Sequence, residues 1–166
     1  VTGHDRSGKA VIASDSQVEG ITPGILPGSE LHRLWGANRA PSFPDDGSPP
    51  EQNPYFPPVG GFRFGMFTIP PDSHSRPAVA DLPAAVKELE AALPGLASHM
   101  EADAPGMHTT ATIDWLELDD GVVAHLRAGD CVVQNGTRHA WHNRGHVPAR
   151  LAVFLIGAHH AKFPGT

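Results

Sequence analysis

Two short runs of this chain carry side chains that could bind a metal ion or a polar ligand. In the first run the even-numbered residues His108, Thr110, Thr112 and Asp114 are all polar. Alternate residues of an extended strand point to the same side, so these four would share one face. The odd-numbered positions up to Trp115 are largely apolar. The run therefore predicts a strand with one packed side, whose other side faces either solvent or the polar interior of a small barrel.

The second run lies at 129–143 and is divided by two turns. Gly129-Asp130 and Asn135-Gly136 have turn compositions, and the residues between them, 131–134, suit a strand. A further strand would follow the second turn. Alternation would place three of its residues on one face, namely His139, Trp141 and Asn143.

Together the two runs resemble the two motifs of the single-domain cupins of the cupin 2 type. The first family motif is a Gly followed by His-x-His and then a Glu. Here His108 matches the first His, and Asp114 stands in place of the Glu. The second motif is a Gly turn followed by His-x-x-x-Asn, which Gly129, His139 and Asn143 match.

The resemblance covers mainly residues 106–156 and includes two longer runs. Met-His-x-Thr-x-Thr-x-Asp at 107–114 and Gln-x-Gly-Thr-x-His-Ala-Trp at 134–141 are similar to runs of a bacterial and fungal cupin subgroup. The chain departs from the family pattern at two points. Thr110 replaces the second His of the first motif, and the sequence lacks the further strand that the family has after residue 115, which is either a true deletion or a stretch absent from the sequence given.

The resemblance implies a metal site with two imidazoles and one carboxylate, because the hydroxyl of Thr110 is a poor ligand for a divalent ion. The ligands would be His108, His139 and Asp114, a set that resembles the facial triad of non-haem iron sites. Manganese, nickel or zinc would fit the same donors. The residues that would shape the substrate pocket are Thr110, Thr112, Trp141, Asn143 and Arg63.

For function, the resemblance implies a metal-dependent enzyme that acts on a small organic molecule of the aromatic or polyketide type. Oxidoreductase or oxygenase chemistry is the first expectation, while decarboxylation, cyclisation or isomerisation would use the same kind of site. The alternative is a cupin that binds a small molecule without catalysis, in which Thr110 marks a lost metal site. A purely structural module is the least favoured, since polar residues concentrate on one strand face.

The elements that would position these residues are mostly short strands. A hairpin is expected within 1–20, and strands are expected at 30–35, 62–69 and 151–156. Short strands separated by Asp-Gly and Asn-Gly turns indicate an all-β antiparallel sandwich or barrel. The resemblance narrows this to a cupin double-stranded β-helix, or jelly-roll barrel. Its core would be residues 104–166, with residues 1–103 as an N-terminal extension packed on the barrel in one domain overall.

One helix is expected in the extension, at 81–93. Asp81 suits its N-cap and Pro83 its first turn. Pro94-Gly95 would end it. An apolar stripe at helical spacing would pack it on a sheet, formed by Leu82, Val86, Leu89 and Leu93.

Residues 40–60, which we call the Pro-rich loop, contain seven prolines and cannot form an interior strand or helix. Two interpretations remain open for this loop. It is either a solvated surface excursion, or a lid in which Tyr55 and Phe56 cover a pocket mouth or a neighbouring subunit.

Composition limits the partners and the compartment. The 166 residues carry a formal net charge of −6, so nucleic acid and anionic membranes are poor partners. No apolar run is long enough to span a bilayer, and no signal-peptide pattern opens the sequence, although Val1 is not an initiator Met. The lone Cys131 suits a reducing compartment and is expected to be a buried, inert thiol. We therefore expect a cytoplasmic protein that binds a small molecule, with a homodimer paired through exposed strand edges.

Overall fold

In the computed structural model of the chain, which describes residues 1–74, 79–101, 108 and 123–159, the strands form two antiparallel sheets. The first sheet is a hairpin of β1 (Thr2–His4) and β2 (Ala10–Ile12). The second sheet has the order β3-β4-β5. Its strands are β3 (Glu30–Ala37), β4 (Phe62–Ile69) and β5 (Ala149–Ile156). The described helices are α1 (Leu82–Ala92) and a 3₁₀ turn at Ala97–His99.

The N-terminal hairpin is closed by a turn built around Asp5. One carboxylate oxygen of Asp5 accepts hydrogen bonds from the backbone N–H of Ser7 at 2.8 Å and of Lys9 at 3.0 Å. Gly8 takes a φ of 80°, a conformation that glycine adopts without steric cost. The hairpin predicted within residues 1–20 is therefore confirmed.

The three-stranded sheet presents one face to the interior, and we call it the inner face. Strand register brings side chains of all three strands to this face, because Leu31 pairs with Phe67, and Leu155 pairs with Arg63. A β-bulge between Arg33 and Trp35 shifts the alternation of β3 by one residue. The inner face consists of Leu31, Arg33, Arg63, Gly65, Phe67, Ile69, Val153 and Leu155.

Helix α1 begins at the predicted cap and packs through its C-terminal end. Oδ1 of Asp81 accepts a hydrogen bond from the backbone N–H of Ala84 at 2.9 Å. Leu89 and Leu93 are buried in a cluster with Leu31 of β3 and Leu96, which we call the leucine cluster. Leu82, predicted to belong to the packed stripe, is instead 56% exposed, because the packed part of the helix is confined to its last turns.

The Pro-rich loop contains no helix or strand, as predicted. Its exposed first half is a solvated excursion, but its second half returns to the core. The backbone N–H of Tyr55 donates to the carbonyl of Pro94 at 2.7 Å, and the side chains of Tyr55 and Phe56 pack against the leucine cluster. The loop is therefore anchored to the segment that follows α1.

The strands predicted around residues 131–143 are wrong. Residues 131–134 are irregular, and His139 forms only an isolated bridge. Side chains take the place of a backbone ladder here, since the amide of Asn143 donates to the carbonyls of Ile69 at 3.0 Å and Val147 at 2.9 Å. Cys131 was expected to be buried in one of these strands and is exposed, because the segment that carries it lies outside both sheets.

The described residues confirm an all-β class, with mostly antiparallel strands and one short helix. Closure into a cupin barrel stays a prediction. Strand β5 belongs to the predicted core 104–166 and pairs along its whole length with β4 of the predicted extension. Among the described residues, no helix has the length and apolar character needed to cross a membrane.

Candidate functional site

His108 and His139 lie side by side at the centre of the candidate site. Each backbone N–H donates to the carbonyl of the other residue at 3.0 Å, so the two residues form an antiparallel bridge. Their imidazole rings have centroids 4.1 Å apart, at an interplanar angle of 53°. The two histidines that the sequence predicted as metal ligands are therefore neighbours, although 31 positions separate them in the chain.

His139 is completely buried and has one unpartnered nitrogen. Its Nδ1 lies 2.8 Å from the carbonyl oxygen of Thr137, whereas its Nε2 has no hydrogen-bond partner among the described residues. Burial, and next the neighbouring His108, lower the pKa of His139 to about 4, against a smaller opposing effect of the Thr137 carbonyl. The ring is therefore neutral at pH 7, and one of its nitrogens carries a lone pair.

Gln134 and Thr137 surround the Nδ1 side of this ring. The side-chain Nε2 of Gln134 lies 2.8 Å from Nδ1 of His139, 2.6 Å from the carbonyl oxygen of Thr137 and 2.7 Å from its Oγ1. When Nδ1–H donates to the Thr137 carbonyl, the Nε2 lone pair of His139 is available to a metal. When Nδ1 instead accepts from Gln134, the proton resides on Nε2. The cluster thus controls which nitrogen is a ligand.

A cavity of about 150 Å³ lies next to the histidine pair. His108 and Trp141 line one end, and the rest of the wall is almost entirely apolar. Trp141 stands edge-on to His139, with ring centroids 6.3 Å apart. Tyr55 and Phe56 of the Pro-rich loop form part of the wall, as the lid interpretation of that loop requires. Other members of the wall are Leu26, Leu31, Phe67, Ile69, Leu96, Met100, Val153 and Leu155.

A second, smaller cavity of about 30 Å³ has several polar side chains in an otherwise apolar wall. Arg33, Gln52 and Arg63 line it, together with Tyr55. The two cavities have five wall residues in common, namely Leu31, Tyr55, Phe67, Val153 and Leu155. They are therefore neighbouring compartments over the same inner face of the sheet.

The predicted pocket residues fall in different places. Trp141 lines the larger cavity and Arg63 the smaller one. Asn143 is buried but belongs to neither wall, and its amide group bonds to backbone carbonyls and to the N–H of Gly145. Thr110, Thr112 and the third predicted ligand, Asp114, lie outside the described residues.

The donors that the structure describes fit a divalent transition metal in part. Imidazole nitrogen is a common ligand of such ions, and the buried, unpartnered Nε2 of His139 is the kind of atom that a metal would satisfy. Within the described ranges, no group of three His, Cys, Asp or Glu side chains is close enough to hold an ion. The pair thus depends on a further ligand, for which the sequence predicts Asp114.

Several residues of the site were not expected from the sequence. Gln134 was noted only as part of a motif, and Arg33, Gln52 and Met100 were not singled out at all. The fixed spacing Gln-x-x-Thr-x-His was a usable signal for Gln134, because the turn at Asn135-Gly136 folds the chain back on itself. Arg33 follows from simple alternation with Leu31, whereas the β-bulge that places Gly36 opposite Arg63 has no comparable signal in the sequence.

Comparison with known proteins gives a partial match. No family model matches the chain. Two curated proteins of Diaporthe leptostromiformis, the phomopsin biosynthesis cluster proteins C' and D, are each 40% identical to it over 58 residues. The match covers 30% of this chain and 31% of each relative, so the chain spans about a third of the length of the proteins it resembles.

Proposed function

We propose that this chain is a metal-dependent enzyme of the cupin type that acts on a small, largely apolar organic molecule, with oxidoreductase or oxygenase chemistry. One observation carries the proposal. His139 is buried and neutral, its Nε2 has no partner among the described residues, and it stands beside His108, which lines an apolar cavity. A partial likeness to proteins named for a biosynthesis cluster is in keeping with an enzymatic role.

The metal would be held by His108 and His139, with Asp114 as the third ligand that the sequence predicts. When bound, a divalent ion of this kind supplies Lewis-acid polarisation of a carbonyl or enolate oxygen, and iron also supplies redox chemistry. The backbone carbonyl of Thr137 would orient His139 by accepting a hydrogen bond from Nδ1–H in the metal-binding tautomer. Such a partner fixes the ring and raises the basicity of the ligand nitrogen.

The cavity wall would bind and orient the body of the substrate. Trp141, Tyr55 and Phe67 offer flat apolar surfaces, and Phe56 closes the same wall. Filling this space displaces water from the side of the histidine pair, and exclusion of water strengthens electrostatic interactions at the reacting atoms. A substrate seated here would have one end against His108. Decarboxylation, cyclisation and isomerisation would use the same arrangement.

The second candidate is small-molecule binding without catalysis. The apolar wall of the larger cavity favours it, because such a wall binds ligands whether or not a metal is present. In this case Thr110, at the position of the family's second His, marks a site that no longer retains an ion. The two candidates differ in what His139 does, since only the metal-dependent enzyme requires its Nε2 as a ligand.

Cobalt(II) titration of His139→Gln and His142→Gln variants tests the proposal. His142 is a fair control, because it lies three residues away on the same segment and interacts with Asp72 at 3.4 Å. We expect the His139 variant to weaken cobalt binding by at least about a hundredfold. Loss of a ligand should cost more than the ten- to hundredfold that loss of a ligand's hydrogen-bond partner costs. The His142 variant should retain the affinity of the wild-type protein. Equal cobalt affinity in all three proteins would contradict the metal site and favour simple binding.

A further inference from the structure

We propose that the ligand of this site carries an anionic, carboxylate-type head group that binds between Arg33 and Arg63 in the smaller cavity, while its apolar body occupies the larger one. This inference rests on the proposed small-molecule function. It adds the chemical class of the molecule, an amphipathic organic acid, and the residues that select it.

The two cavities form the compartments of one groove along β4. Alternation on this strand brings Arg63, Gly65, Phe67 and Ile69 to the inner face in that order. At about 3.3 Å per residue, the distance from Arg63 to Ile69 is about 20 Å. Arg63 lines the smaller cavity and Ile69 the larger one, with Phe67 in both walls. A ligand lying along β4 with its head group at the arginines would therefore have its apolar body over Phe67, in the wall that the two cavities share.

Arg63 brings a buried cation with one unused donor to this groove. Its Nη1 donates to the carbonyls of Ala37 and Phe62, and its Nη2 donates to Asn38 Oδ1 and the carbonyl of Pro54, at 2.6–2.8 Å. These four acceptors are neutral. Only 6% of the residue is exposed, and its Nε–H is buried without a partner among the described residues. A buried cation that forms no ion pair within the described residues is costly, so an anion at this point would be stabilising.

Arg33 adds a second cation to the same cavity. Its Nη2 donates to the carbonyl of Gln52 and to Oδ1 of Asn53, both neutral groups. Within the described part of the chain, neither arginine forms an ion pair with a carboxylate. Burial lowers the pKa of both side chains, and the charge of Arg33 further lowers the pKa of Arg63, against a smaller opposing effect of the Glu51 carboxylate. Both remain cations, since a guanidinium keeps its proton in proteins.

Local backbone features keep this end of the groove open for the two guanidinium groups. Gly36 leaves room for Arg63, because a Cβ at Gly36 would lie 2.8 Å from Cδ of Arg63. Gly65 pairs with Arg33 and puts no side chain on the inner face beside it. The side chain of Gln52 completes the wall with a buried Oε1 that has no partner among the described residues. A half-turn of this amide would present its N–H groups to a carboxylate.

The volumes limit the size of the ligand. A cavity of about 150 Å³ suits a body the size of one aromatic ring. The smaller cavity admits only a compact head group. Arylalkanoic acids fit this description, with a ring for the larger cavity, a short linker over Phe67 and a carboxylate for the arginines.

Calorimetric titration of the full chain with phenylpropanoate and phenylpentanoate, and with the neutral amide of each, tests the inference. At least one acid should bind the wild-type protein about tenfold or more tightly than its amide. Arg33→Gln should reduce that preference to less than about twofold, and Arg33→Lys should retain part of it. Arg150→Gln is the control, because Arg150 is on the rim of the same sheet with a 60% exposed side chain and should leave the preference unchanged.

Each outcome decides between the inference and the function on which it rests. Equal affinity for acid and amide in the wild-type protein would overturn the anionic head group and leave the apolar site and its metal in place. Failure of all four compounds to bind at millimolar concentration would also overturn it, while the cobalt titration judges the metal site independently. The wild-type comparison needs no substitution, so it stands even if Arg33→Gln does not fold.

Discussion

The side-chain amide of Gln134 lies 2.8 Å from Nδ1 of His139, inside a buried cluster that Thr137 completes. This contact matters because the hydrogen bond at Nδ1 determines whether Nε2 carries a lone pair or a proton. Gln134 therefore acts on the ligand atom without touching the metal or the substrate. Residues of this kind commonly change metal affinity by ten- to a hundredfold when they are replaced.

We predict that Gln134→Ala strengthens cobalt binding by up to about tenfold, because it removes the side-chain N–H that favours the form of His139 protonated on Nε2, which cannot bind a metal. Asn135→Ala is the matched control, since Asn135 is the next residue and is exposed. Competition titration against a chelator of known affinity measures both constants. Unchanged affinity in Gln134→Ala, with a thermal midpoint close to that of the wild type, would mean that Thr137 alone orients the ring.

The metal-free protein should lose stability as the pH falls from about 6.5 to about 4. The pKa of His139 is about 4 in the folded chain and 6.5 in the unfolded chain, so the unfolded state takes up the proton first. Protonation of His139 in the unfolded state lowers the free energy of unfolding only slightly above pH 6.5 and by about 3 kcal/mol near pH 4. Urea unfolding in the presence of a chelator, at pH 7.5 and 4.5, measures it.

For this pH effect, His139→Gln is the informative variant, because it removes the titrating ring. Its free energy of unfolding should change less between the two pH values than that of the wild type, by about 2 to 3 kcal/mol. His142→Gln should follow the wild type. A His139 variant with the full pH dependence of the wild type would show that other groups cause the loss.

Arg63 should be important for stability as well as for the charge of the groove. Its hydrogen bonds join the end of β3, the start of β4 and the Pro-rich loop. We predict that Arg63→Ala lowers the free energy of unfolding by about 3 kcal/mol, because several buried carbonyls lose a charged donor at once. Arg39→Ala, at an exposed position of the same region, should change it by less than about 0.5 kcal/mol. Urea denaturation of both variants gives the comparison.

Two leucines of α1 should differ sharply in their contribution to stability. Leu93 follows the helix and is 0% exposed, whereas Leu82 begins it and is mostly exposed. Leu93→Ala should cost about 2 to 5 kcal/mol through lost burial and a cavity, and Leu82→Ala less than about 1 kcal/mol. Thermal and urea unfolding measure both. A similar loss in the two variants would contradict the packing of the helix on the leucine cluster.

Much of the secondary structure could be predicted because it depends on local chemistry. Strand β4 has the predicted bounds, since its residues alternate and Pro70-Pro71 prevents continuation. Helix α1 follows from the Asp81 cap and Pro83. The segment at 131–143 could not be predicted in this way. Its side chains bond to backbone groups that the fold brings from a distance, as when the side-chain amide of Asn143 donates to the carbonyl of Ile69 in β4.

The candidate site was predictable where a motif carries it and unpredictable where register decides it. The spacing of the motif residues indicated that His108 and His139 belong together, and the bridge between them agrees with that. Gly36, rather than Trp35, stands opposite Arg63 only because the alternation of β3 shifts at the bulge after Arg33. Pattern reading alone cannot locate such a shift. Asp114, the cupin barrel, the cytoplasmic location and the homodimer stay predictions.

The central claim is that His108 and His139 hold a transition metal beside the apolar cavity. Elemental analysis of protein purified without any chelator, combined with anomalous scattering at the absorption edge of the ion found, tests it most directly. We expect close to one equivalent of iron, manganese, nickel or zinc per chain, with an anomalous peak within about 2.0–2.2 Å of Nε2 of His139. Well under one equivalent of any transition metal, or a peak elsewhere in the molecule, would contradict the claim.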